Sequence, residues 1–432
     1  MKQALVGTCI GLLSSFLLSA NAWAEEKDNL SISFSYGIKD LLPSLIANSD
    51  LEFDNKKSYS DLWIEGGFQF SDKLRFEGAL ELTNQPHELI GTKFSRSDFP
   101  LSTGRFQKSV VSYTTDKLII TLGRDDMLRT KLRPDIFEYP IFADGIAWNY
   151  AWKSWNFKHI YQILPAESQS NQIFRRSISY HHLSRTLNSL TFGAGEYFIL
   201  TGDHIGLDLK RFNPFLPYSL NSHDSFADYY PGFSGDSDNS LIKLFLDWRK
   251  QSNKVSINLY IDEFQIDAVD REVFNDAVLL SLSAENELNA FGQRSLFNWG
   301  FSAANPNFGQ HPGPFTTTTI GAYPLFEYTP GMKNLYFFDA TLFADKAYQL
   351  SLSGYTENWV NISELSPDRM NQRDALDQLD VHSDSRFGVE LNYNLQKLPL
   401  RLGVVGWVGS VKENSSGIKF IFKYESNRLL TP

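Results

Sequence analysis

Apolar and polar side chains alternate one by one along most of this chain, in short runs separated by polar breaks. In "LSISFSYGI", Leu30, Ile32, Phe34 and Tyr36 fall on one side and three serines on the other. A period of two sends successive side chains to opposite faces, so each run reads as a strand with one apolar and one polar face. "LWIEGGFQF", the break "SDK" and "LRFEGALEL" read as a hairpin. Its second strand sets Leu74, Phe76, Leu80 and Leu82 against Arg75, Glu77 and Glu81. The cleanest run is "FGVELNYNL", with Phe387, Val389, Leu391, Tyr393 and Leu395 opposite Gly388, Glu390, Asn392 and Asn394. The same pattern predicts strands over 105–114, 117–125, 143–152, 155–164, 172–182, 189–200, 241–250, 254–265, 297–304, 315–327, 335–345, 348–357, 399–409 and 416–425.

About eighteen one-sided strands exceed what a two-sheet sandwich needs, and they fall within the even range of single-chain membrane barrels. No repeat of fixed period points to a propeller. The breaks alternate in length as well. "SDK", "TTDK", "KS", "QSN" and "QKLP" are tight, whereas the stretches near 39–60, 85–104, 126–142, 201–240, 266–296 and 358–384 are long. Short periplasmic turns and long extracellular loops are the pattern of an outer-membrane β-barrel. The expected fold is therefore all-β: one transmembrane antiparallel β-barrel. Trp148, Tyr150, Trp152 and Trp155 surround one short turn, where an interfacial aromatic girdle belongs.

Composition sharpens this picture. Lys2, an apolar run from Ala4 to Leu18 and the Ala22-Trp23-Ala24 site read as a secretory signal peptide over residues 1–24. That leaves 25–432 as a single barrel domain in the outer membrane of a Gram-negative cell. The one cysteine, Cys9, lies in the signal, so the remaining chain has no disulfide or thiolate chemistry. Aromatic residues make up 14% of the sequence, and past the signal no run reaches the ~20 apolar residues of a spanning helix. The formal net charge of −10 argues against a nucleic-acid partner.

Enzyme signatures are scarce: there is no G-x-S-x-G, no H-E-x-x-H and no P-loop. His181 and His182 are adjacent, so on a strand they face opposite sides and cannot chelate one metal as neighbours. No cofactor or metal is expected. The polar faces carry charges of both signs, among them Arg75, Glu77, Glu81, Lys243, Asp247, Arg249, Asp262, Asp339 and Glu390, with Tyr260 beside them. Such charges set selectivity in an open channel, or pair across a lumen that holds a plug or inward-folded loops. In "SINLYIDEFQID", Val255, Ile257, Leu259 and Ile261 take the apolar face. Matching faces across the preceding turn sets Lys243 opposite Tyr260 or Asp262, with Lys243 and Asp262 within ion-pair reach in the lumen. Aromatic and amide side chains in the long loops, with Tyr229, Tyr230, Asn358 and Trp359 as candidates, suit the faces and hydroxyls of a sugar ring.

The fragments "LGRDD" (122–126), "SYHHL" (179–183), "AGEYFIL" (194–200), "RFNPFLP" (211–217), "DNSLIKLFLDWR" (238–249), "LYIDEF" (259–264) and "FEYTP" (326–330) follow one another across about half of the mature chain. As an ordered set they resemble the Wzi-type capsule-assembly family of outer-membrane barrels. The resemblance implies an eighteen-stranded barrel that is lectin-like and non-catalytic, binding capsular polysaccharide at the cell surface. The chain departs from the enterobacterial members in starting its strands soon after the signal and in continuing past Tyr424 with "ESNRLLTP". The expected function is a non-enzymatic, monomeric barrel that binds or anchors surface polysaccharide. The alternative is a diffusion channel or exporter for a solute or polysaccharide. Its expected partners are outer-membrane lipid, surface polysaccharide and the barrel-assembly machinery.

Overall fold

The computed structural model describes residues 29–39, 58–83, 94–95, 103–128, 143–169, 172–202, 238–263, 277–290, 292–308, 319–320, 323–324, 331–361, 373–395, 400–409 and 416–426. The signal segment, Tyr229 and Tyr230 lie outside the described residues. One sheet of nineteen strands dominates, and one of these is only the pair Phe94–Ser95. The eighteen long strands are β1 (Asn29–Lys39), β2 (Ser58–Gln69), β3 (Leu74–Thr83), β4 (Thr103–Thr114), β5 (Leu118–Asp125) and β6 (Ala143–Trp152). They continue with β7 (Trp155–Gln169), β8 (Gln172–Leu187), β9 (Leu190–Gly202), β10 (Asp238–Lys250), β11 (Asn253–Glu263) and β12 (Ala277–Ala290). The last six are β13 (Gln293–Ala304), β14 (Met332–Leu342), β15 (Tyr348–Val360), β16 (Val381–Leu395), β17 (Leu400–Gly409) and β18 (Ser416–Ser426).

Every long strand pairs antiparallel with its neighbours in sequence, and β1 also pairs with β18 from Leu30–Ser426 to Lys39–Gly417. The sheet therefore closes on itself. Closure leaves no unpaired edge, which is what lets strands cross a bilayer. The fold is a transmembrane antiparallel β-barrel.

Two strand assignments from the sequence need correction. Residues 277–290 are expected within a long loop, yet they form β12, paired with both β11 and β13. Residues 315–327 are expected as a membrane strand. The described part holds only Thr319–Ile320 and Tyr323–Pro324, paired with each other in a separate two-stranded sheet. One missed strand and one extra strand leave the total unchanged.

One end of the barrel is built from tight turns. Lys153, Asn188 and Gln251 each open a two-residue connection with φ of 55°, and Gly292 has φ of 71°. Left-handed backbone at the first turn residue matches the twist of the strands it joins. Elsewhere the wall shows the alternation read from sequence. Ile242, Leu244, Leu246 and Trp248 are exposed outward on β10, as are Phe387, Val389, Leu391 and Tyr393 on β16. Tyr150, Trp152 and Trp155 are exposed around the Lys153 turn, with the Lys153 ammonium 5.2 Å from the Trp152 ring centre.

Candidate functional site

The inward faces divide into two layers. Near the tight turns they carry charge. Glu77 receives Arg75 at 3.0 Å and also pairs with Lys108, which lies 3.9 Å from Asp125. Arg294 bridges Glu287 at 2.8 Å and Asp345 at 3.0 Å, Lys254 meets Glu285 at 3.4 Å, and Arg401 lies 3.4 Å from Glu390. These groups are half-buried or exposed, so each pair contributes little more than local order. Leu296, on the inward side close to a turn, is 39% exposed. Water therefore reaches this end of the lumen.

Toward the long loops the inward faces become mainly apolar and aromatic, with Arg176 and Glu357 buried among them. Ile178, Ile199, Leu241, Tyr260, Leu279, Met332 and Leu335 are all 0% exposed and join one cluster with Tyr180, Tyr197 and Tyr355. Tyr180 and Tyr197 stack at 4.0 Å, and Tyr260 follows at 6.4 Å. An inward side chain on an open eighteen-stranded wall would face water, so full burial here means the lumen is filled at this level. Two segments beyond strand ends take part. Leu128, just past β5, and Phe308, in the turn Asn305–Phe308 past β13, both pack in this cluster. The geometry is locked where inward glycines accept rings: a β-carbon on Gly300 would lie 2.3 Å from the Phe337 ring.

The candidates from sequence fall as follows. Arg75 and Glu77 meet in the charged layer, joined by Lys108 and Asp125, which were not singled out. Glu81 is buried and accepts a hydrogen bond from Gln107, the residue that β4 bulges out of register with β3. Asp339 accepts the Ser353 hydroxyl at 3.0 Å, and Glu390 accepts the Asn392 amide at 2.8 Å. Asp247 registers with Ser256 and Arg249 with Lys254. Lys243 registers with Tyr260, and its ammonium lies 4.9 Å from that ring centre. Its registered partner is thus an aromatic face, with Asp262 one inward position further along β11.

Asn358 and Trp359 require a correction, because they sit on the last residues of β15 and not in a loop. Asn358 donates to Asn334 at 2.8 Å and accepts from Ser383, while the Trp359 ring lies 4.8 Å from that of His382. Both are held in the sheet at its long-loop end. The adjacent histidines divide as their spacing requires. His182 Nδ1 and the Tyr180 hydroxyl are 2.7 Å apart on the inward face, whereas His181 Nε2 lies 3.6 Å from Glu196 on the other. That outward row is polar and buried, with His159 at 0% exposure beside His181 in register, and so departs from the lipid-facing alternation of the lower wall. Among the described residues, no group of three or more His, Cys, Asp or Glu is placed to hold a metal.

No family model matches the sequence, and no curated protein matches it. Solved structures do match in fold, and they are outer-membrane β-barrels. One is Wzi of Escherichia coli, described as an outer-membrane protein involved in group 1 capsule assembly and a carbohydrate-binding β-barrel. It shares 11% identity, with 91% of this chain and 83% of that chain covered and a TM-score of 0.52. Another is OccK5 (OpdH) of Pseudomonas aeruginosa, at 9% identity, 92% and 97% coverage and a TM-score of 0.50. A third is OprD of the same organism, at 11% identity, 92% and 94% coverage and a TM-score of 0.49.

Proposed function

We propose that this chain is a non-enzymatic outer-membrane barrel that binds or anchors a surface polysaccharide, as a distant Wzi-type protein. The observation that carries this reading is the fully buried aromatic layer across the long-loop half of the lumen. A wide diffusion channel needs a continuous water path, and this layer interrupts it along the walls of β7 to β15. The Trp359–His382 ring pair, on the inward face at the long-loop end, supplies an aromatic face suited to a sugar. The carbohydrate binding described for Wzi supports the same reading. In this reading the short turns are periplasmic, and the barrel reaches the outer membrane through a signal peptide and the barrel-assembly machinery.

A second reading, a channel or exporter, is favoured by the water-accessible, ion-paired layer near the tight turns. Planar-bilayer recording separates the two. The polysaccharide reading expects no steady large conductance from the purified barrel, and a persistent open-pore current would reject it. On cells, deletion of the gene is expected to reduce surface glycan retention.

A further inference from the structure

At the long-loop end of β15 and β16, three inward rows stand one above another. Tyr355, Glu357 and Trp359 on β15 register with Arg386, Asp384 and His382 on β16. Tyr355 belongs to the buried aromatic cluster, whereas His382, furthest toward the long loops, is exposed and Trp359 is half-buried. The two rings at this rim lie 4.8 Å apart, inclined at 32°. Below them the side chains of Arg386 and Asp384 keep 25% and 13% of their surface exposed. On the next strand Arg386 registers with Gly409, so β17 sets no side chain against the guanidinium.

Hydrogen bonding on this wall is incomplete. Arg386 Nε lies 3.8 Å from Asp384 Oδ2, too far for a hydrogen bond, and the guanidinium has no acceptor among the described residues. Arg294, by contrast, donates to Asp345 and to Glu287 at 3.0 Å each. Asp384 Oδ2 accepts the Tyr355 hydroxyl at 2.9 Å, while Oδ1 is buried without a partner. A carboxylate has room for roughly four hydrogen bonds. Polar groups left unmet in a partly desolvated site cost stability unless a ligand meets them. The charges of Arg386 and Asp384 already offset each other, so the pair lacks hydrogen-bond partners and not a counter-ion.

We propose that this wall holds two consecutive residues of a neutral polysaccharide. The inference rests on the polysaccharide-binding reading and names the class of sugar it takes. One pyranose lays its C–H face on the Trp359–His382 pair. Hydroxyls of the next donate to Asp384 and accept from Arg386. Four residues of strand, about 13 Å, separate His382 from Arg386, which is further than one pyranose covers. A hydroxyl both donates and accepts, so neighbouring hydroxyls serve both groups at once. A uronate carboxylate only accepts; it would meet Arg386 but be repelled by Asp384.

Saturation-transfer NMR on the full chain, in a detergent without a sugar head group, tests this with lactose, maltose, cellobiose and cellobiouronic acid. At least one neutral disaccharide is expected to bind, and cellobiose more tightly than cellobiouronic acid, which differs by its carboxylate. Arg386→Gln and Asp384→Asn should each weaken the neutral ligand by about tenfold or more, and Trp359→Ala should remove saturation of its ring C–H protons. Heat-modifiable gel migration reports whether each variant is folded. No binding of any neutral disaccharide, or wild-type binding by folded Arg386→Gln and Asp384→Asn, would overturn the site. Tighter binding of cellobiouronic acid than of cellobiose would overturn the neutral class. Glycan retention on cells separates the parent reading: unchanged retention on gene deletion rejects that reading, whereas retention lost on deletion but kept by Arg386→Gln rejects only this site.

Discussion

The two layers of the lumen meet the same problem, an inward face inside a closed sheet, with opposite chemistry. Near the tight turns, Arg75, Glu77, Lys108, Arg294, Glu287 and Asp345 leave water in place and pair across neighbouring strands. Near the long loops, Tyr260, Leu279, Ile178 and Leu335 exclude water altogether. The sheet is shared, and the inward residues carry most of the difference; the outward face is apolar along the lower wall but polar at His159, His181 and Glu196. A wet layer tolerates isosteric change because solvent substitutes for a lost partner. A dry layer does not.

Three substitutions rank this contrast. Leu279→Asp places an unpaired carboxylate in the dry layer and is expected to cost about 3–5 kcal/mol. Urea titration of folding into phospholipid vesicles measures it. A cost near zero would mean water already reaches Leu279, and the two layers would merge into one wet lumen. Next, Leu244→Arg and Val404→Arg place a cation on the outward face of opposite walls. Each is expected to cost about 2–4 kcal/mol near the bilayer midplane in the same assay. Similar costs would locate the difference between regions inside the barrel, whereas a large disparity would locate it in the belt. Smallest is Glu77→Gln in the wet layer. It removes the charge that Arg75 and Lys108 share, but all three groups are partly solvated. A loss of about 1 kcal/mol or less is expected after allowing for screening, shrinking further in high salt.

The same contrast explains what the sequence revealed. Alternation marks a strand only where one face is apolar and the other polar. It is plain in β16, where Glu390 and Asn392 face a polar interior between Val389, Leu391 and Tyr393. In β12 the upper residues read "AVLLSL", because Ala277 and Leu279 face the dry layer while Val278 and Leu280 face outward. An element apolar on both faces loses its period, and this strand was missed for that reason. Of the β-branched run "FTTTTI", which has strand propensity, the described residues are Thr319–Ile320, and these pair with Tyr323–Pro324 outside the barrel sheet. Arg75, Glu77 and Glu390 were legible as inward groups because their outward neighbours fix the phase. Lys108 was not, since the Gln107 bulge shifts the phase of β4 midway. The adjacency of Lys158, His182, Gly195 and Lys243 is made by register across four strands, and no single stretch of sequence contains it.

The seam between β1 and β18 has a consequence for connectivity. Leu30 lies opposite Ser426, so the first and last strands run side by side and meet at one end of the cylinder. The order in which the chain visits the staves is then a matter of where the polymer is cut, not of architecture. A short bridge from Ser426 to Asn29, with a new break at a tight turn such as Gln251-Ser252, would give a circular permutant with every ladder intact.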